Sequence, residues 1–124
     1  MTKYILLIML SICLTMSGAE APRTQKEIAE LKAKAEKGEA KAQGLLAWEY
    51  IYGEKKDSAL AFEWSKKAAA KGDSKGEFIL GRSYAMGLGV KQDHKEAVKW
   101  YRKSADQGEI YAQYNLGAMY ANGR

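Results

Sequence analysis

The sequence predicts an all-α chain, an α/α solenoid of short helices stacked in pairs, and two observations carry that prediction. Slid against itself, the chain repeats at an offset of 36 residues: Ala61, Trp64, Gly72, Asp73, Gly81, Tyr84 and Gly87 return as Ala97, Trp100, Gly108, Glu109, Gly117, Tyr120 and Gly123. Within each copy the apolar residues fall at helical spacing, and they do so twice, so each copy holds two helices.

An earlier copy carries the same landmarks at an offset of 34, as Gly38, Glu39, Ala47, Tyr50 and Gly53. The two missing residues fall between Gly53 and Asp57, where the next copy runs from Gly87 to Asp93, so the deletion sits in a loop that can vary in length. The first helix of each pair has a stripe of Ala42, Leu46, Ala47 and Tyr50, then Gly76, Leu80, Gly81 and Tyr84, then Ala112, Leu116, Gly117 and Tyr120. Small residues mid-stripe let a partner helix come close, which must offset the cost of about 1 kcal/mol that a helical glycine carries against alanine. The second helix shows Ala61, Trp64, Ala68 and Ala69, then Ala97, Trp100, Ser104 and Ala105. Asp57 and Asp93 are expected to cap these second helices, and Gly72 and Gly108 to end them in a left-handed conformation. Trp64, Trp100, Tyr50, Tyr84 and Tyr120 recur by position and are read as core.

Ahead of the repeats, Thr24-Gln25-Lys26-Glu27 has capping-box spacing and opens a stretch with Ile28, Leu31 and Ala35. This predicts an N-terminal capping helix within residues 20–37, followed by units at 38–71 and 72–107 and a partial one at 108–124. Residues 1–19 read as an export signal. Lys3 supplies the positive end, the run from Ile5 to Met16 is apolar, and Ser17-Gly18-Ala19 offers small residues for cleavage after Ala19. About a dozen apolar residues fall short of the roughly 20 that span a bilayer, so no stable membrane insertion is expected once the signal is removed. A periplasmic or secreted protein follows. An open face is expected at the other end, since Leu116, Met119 and Tyr120 would ordinarily be covered by a further helix, and the expectation is that the functional protein continues past Arg124.

The remaining residues point away from catalysis. Cys13, the only cysteine, lies inside the export signal, and Ile12 before it is too bulky for a lipidation site. His94 is the only histidine, read as a surface or capping residue, and one histidine builds no metal cluster. Glu49, Glu63 and Glu77 are read as scattered surface carboxylates, not an acid pair. Gly87-Leu88-Gly89 follows a helix where a phosphate cradle would follow a strand, so it is read as the tight link between paired helices. The net charge of +5 falls on lysines late in helices, among them Lys66, Lys67 and Lys71, where they complement the helix dipole, so a solvated face is favoured over a nucleic-acid site. No cofactor, metal or catalytic residue is expected.

The pattern Ala-x-x-x-Leu-Gly-x-x-Tyr, Gly-x-Gly-Val, Ala-x-x-Trp and Lys-x-Ala-x-x-Gly resembles the Sel-1-like repeat family, relatives of the tetratricopeptide repeats. The agreement is fullest over residues 76–108, with Leu80, Gly81, Tyr84, Gly87, Gly89, Val90, Asp93, Ala97, Trp100, Lys103, Ala105 and Gly108. The first unit departs from it in Ala47 and in its shortened loop. The resemblance implies a concave face lined by first helices, with three columns pointing into it: Lys41, Lys75 and Tyr111; Leu45, Ile79 and Asn115; Trp48, Arg82 and Ala118. From these, Lys41, Trp48, Lys75, Arg82, Tyr111 and Asn115 are the expected partner-binding residues. Variation at an otherwise regular position, as at Trp48, Arg82 and Ala118, is what a recognition surface shows. An extended, partly acidic peptide of a protein partner suits them. The implied role is that of an adaptor, scaffold or regulator. An immunity or inhibitor protein that blocks a periplasmic toxin is the alternative. A penicillin-recognising enzyme, an activity associated with disulfide-rich members of the family, is disfavoured because Ser58, Ser65, Ser74, Ser83 and Ser104 each lack a lysine three residues on.

Overall fold

The computed structural model describes residues 21–123, so the expected export signal lies outside the described residues. Among the described residues the chain forms α1 (Gln25–Glu36), α2 (Ala40–Tyr52), α3 (Ser58–Ala70), α4 (Ser74–Met86), α5 (His94–Asp106) and α6 (Ile110–Ala121), joined by short loops, with no strand. Each helix packs on its neighbour in sequence, α2 also packs directly on α4, and ring contacts from Tyr111 of α6 to Trp48 and Phe78 bring the first helices into one layer. This is an all-α helical-repeat solenoid.

The ends of the helices follow from the residues placed there. The Thr24 hydroxyl accepts from the Glu27 amide while the Glu27 carboxylate accepts from the Thr24 amide, a complete capping box at the start of α1. Asp57 accepts from the Leu60 amide at 3.1 Å, and Asp93 from the Lys95 and Glu96 amides at 3.0 and 3.1 Å. Gly72 and Gly108 take φ of 80° and 90°, ending α3 and α5 as expected. In the link between α4 and α5, Gly87 and Gly89 also take positive φ, and a Cβ on Gly89 would lie 2.8 Å from the Ser58 carbonyl carbon. That link therefore lies against the start of α3.

The core runs along the contact between the two helices of each pair. Ala47, Ala61, Phe78, Ile79, Ala97, Tyr101 and Ala112 form one buried cluster that threads through α2 to α6. Small residues are where backbones meet: a Cβ on Gly76 would lie 3.0 Å from the Ala69 backbone nitrogen, and one on Gly81 would lie 2.8 Å from Cδ1 of the Tyr101 ring. At the equivalent places in the preceding unit stand Ala47 and Ser65, so a larger residue on the first helix goes with a smaller one on the second.

One expectation about the core is corrected. Trp64 and Trp100 pack against the core from its edge, with the Lys67 ammonium over the Trp64 ring and the Lys99 and Lys103 ammonium groups over Trp100. Tyr120 is exposed and bonds to Arg102, since no further helix packs on α6 among the described residues.

Candidate functional site

The layer of first helices presents a continuous patch of rings and cations. The Trp48 ring lies 4.4 Å from Tyr52 one turn further along α2, 5.8 Å from Phe78 on α4 and 5.4 Å from Tyr111 on α6, centroid to centroid. Phe78 closes the set at 6.0 Å from Tyr111. Offset and tilted contacts of this kind add to the burial of the rings and fix their orientation. The Lys75 ammonium sits 4.3 Å above the Trp48 ring, and the Arg82 guanidinium 5.4 Å above Tyr52.

Of the six expected partner-binding residues, the fold brings Trp48, Lys75 and Tyr111 into one cluster. Arg82 stands beside it on Tyr52. Asn115 lies further along α6, in one cavity wall with Tyr101. Lys41 is exposed at the start of α2 and acts with Lys75 on Asp73, whose carboxyl is pushed up by burial and held back by the Gly76 amide and these two lysines. Leu45 is partly buried, and Ala118 is exposed.

Ile79 does not point to the expected concave face. It is fully buried between α2, α4 and the second helices, because α2 packs directly on α4 and turns that position inward. Trp48 is also less available than a free surface ring, being flanked by three other aromatic side chains. Tyr52, which sequence reasoning missed, completes the patch, and Phe78, also missed, is buried beneath it. Their columns read Gly44, Phe78, Tyr114 and Tyr52, Met86, Asn122, and a large ring at an irregular position is the signal that marks them.

The electrostatics follow burial. The Tyr101 hydroxyl is pushed up to about 12 by burial, with Arg82 and the Asn115 hydrogen bond opposing. Burial likewise raises Tyr52 against the opposing field of Arg82. Both phenols therefore stay protonated at neutral pH and can donate to a ligand.

Glu77 overturns its reading as an ordinary surface carboxylate. It is 4% exposed, accepts from the Gln107 side chain at 3.0 Å, and is pushed up by burial. Glu49 pairs with Arg23 ahead of α1. Among the described residues no group of His, Cys, Asp and Glu is placed to hold a metal ion, and no helix is long and apolar enough to cross a membrane.

The Sel1 repeat family matches residues 40–73, 74–109 and 110–124. Among solved structures, a Sel1 repeat protein from Oxalobacter formigenes is 35% identical, with a TM-score of 0.70, and the match covers 83% of this chain and 84% of that one. A protective antigen of uropathogenic Escherichia coli strains with an SLR fold is 44% identical, with a TM-score of 0.68 over 78% of this chain, which spans 21% of the antigen's length. The cysteine-rich protein B of Helicobacter pylori is 29% identical with a TM-score of 0.64, over 84% of this chain and 80% of that one. A search of curated proteins gives no match. With three matched units covering residues 40–124 and the helix pairs they demand, the chain belongs to the Sel1 repeat family.

Proposed function

We propose that the protein is an adaptor, scaffold or regulator that holds an extended, partly acidic segment of another protein along the face of α2, α4 and α6. Sel1 repeats mediate protein–protein binding, and the observation that carries the reading here is the patch itself. The rings of Trp48, Tyr52 and Tyr111, backed by the buried Phe78, stand with Lys75 and Arg82 above them, a surface that can grip apolar side chains while attracting carboxylates. Pre-packed rings lose little conformational freedom on binding, which favours affinity. The apolar run and small residues before Glu20 support action in the periplasm or outside the cell.

Replacing Trp48 and Arg82 together is expected to weaken capture of the partner from periplasmic extract by tenfold or more while leaving helicity intact. Because Trp48 also packs on Phe78, a Lys75→Ala, Arg82→Ala pair, which leaves the rings in place, serves as the companion variant. Unchanged capture by both variants would sink the groove reading.

A further inference from the structure

Beside the ring patch a cavity of about 170 Å³ opens between the last turn of α4, the start and middle of α5, and the second half of α6. Arg82, His94, Tyr101 and Asn115 supply its polar wall, and Met86 and Met119 are among its apolar wall. Its size accommodates several water-sized groups.

Arg82 is the unusual member. Its Nε is buried without a hydrogen-bond partner, and among the described residues the guanidinium forms no ion pair. His94 Nδ1, in the same wall, is also buried without a partner. The carboxylate next to it in sequence, Asp93, is occupied by the Lys95 and Glu96 amides, and no Asp or Glu lines the cavity. A buried donor left without an acceptor costs free energy that folding does not recover, so such groups call for an explanation. Packing does not supply one, because the equivalent positions in the other units hold Trp48 and Ala118. The remaining polar wall is rich in donors, for the Tyr101 phenol stays protonated and Asn115 brings an amide.

We propose that this cavity receives a glutamate side chain of the bound protein, whose carboxylate pairs with Arg82 while its methylenes lie against Met86 and Met119. Arginine suits the task because its planar fork meets a carboxylate through two hydrogen bonds, and Tyr52 holds that fork in place from one face. This deepens the groove reading and rests on it, adding a fixed point that sets the register of an acidic segment across the helices.

The test is a titration of the protein with N-acetyl-glutamyl-amide, followed by NMR at the Arg82 Nε–H and the Asn115 side-chain amide. The expected result is a saturable shift of both signals. N-acetyl-glutaminyl-amide, which has the same shape without the charge, should bind about tenfold more weakly or worse. Arg82→Gln should lose the glutamyl probe to a similar extent with helicity unchanged. Equal binding of the two probes, or no saturable shift at Arg82, overturns the proposal. Tighter binding of N-acetyl-leucine, which carries only a chain-end carboxylate, also overturns it in favour of a partner's C-terminus. The probe needs no partner protein, so its failure leaves the groove reading standing, whereas failure of partner capture with the probe still bound leaves a carboxylate site at Arg82 and removes the bound protein as its source.

Discussion

Helices α4 and α6 occupy the same place in successive repeats, yet α4 is covered on both flanks and α6 on one. Phe78 of α4 is 1% exposed, while Tyr114, its equivalent in α6, is 76% exposed. Gly81 would bring a Cβ to 2.8 Å from the Tyr101 ring, whereas a Cβ on Gly117 would meet nothing within 4 Å. The same motif is thus a packed joint in one helix and a bare notch in the other. Each repeat carries only half of every interface, and a residue's contribution depends on whether the neighbouring half is present.

The largest expected effect comes from the rings. Phe78→Ala removes a side chain enclosed by Trp48, Tyr101 and Tyr111 and is expected to cost about 4 kcal/mol in urea unfolding. Tyr114→Ala should stay within about 0.5 kcal/mol of the parent, as exposed substitutions usually do. Equal losses at the two sites would break the comparison.

The glycines give a sharper contrast, because one substitution should change sign between them. Gly81→Ala pushes a methyl into the Tyr101 ring, which is buried and hemmed in by Phe78 at 5.9 Å. A loss of about 2 kcal/mol is expected from overpacking. Gly117→Ala meets no neighbour and gains helix propensity, so it should stabilise by about 1 kcal/mol. Midpoints of urea denaturation for the two variants and the parent decide it, and destabilisation at both positions would show that the notch at Gly117 is filled in solution.

What could be read from the sequence was whatever the repeat makes periodic. Helix pairs, the Asp57 and Asp93 caps and the glycine stops at Gly72 and Gly108 all recur, and each has a local chemical cause. The columns of the first helices could also be read in outline, which placed Trp48, Lys75, Arg82 and Tyr111 on one layer. The direction of each side chain within that layer could not. Ile79 turned inward because α2 packs directly on α4, a tertiary fact that the repeat columns do not contain. Phe78 and Tyr52 were missed because they lie outside the three columns that the resemblance assigned to the concave face, and Glu77 because a carboxylate on a helix is ordinarily solvated.

Glu77 supplies the smallest and most specific test, since its column compares three repeats at one atom. Gln43 and Gln113 donate their side-chain amides to the Ala35 and Ala105 carbonyls, at 3.1 and 3.2 Å. Glu77 stands between them in the repeat, where an ionised carboxylate has nothing to donate to the equivalent Ala69 carbonyl, and its Oε2 is buried without a partner. Glu77→Gln restores the donor and keeps an oxygen for Gln107, so a gain of about 1 kcal/mol is expected at neutral pH. Burial is the main cause of the raised carboxyl, with Gln107 and Lys103 opposing and Asp73 reinforcing it. A carboxyl raised in the fold favours folding below its unfolded value of 4.5, and that contribution is lost as pH rises through the folded value. The advantage of Glu77→Gln should therefore shrink as pH falls from 7 toward the ordinary glutamate range. Asp73 is raised as well, but it is present in both proteins and leaves their difference unchanged to first order. Paired urea titrations across that range check this, and a gap that stays constant with pH would mean that Glu77 ionises in the fold as freely as it does in the unfolded chain.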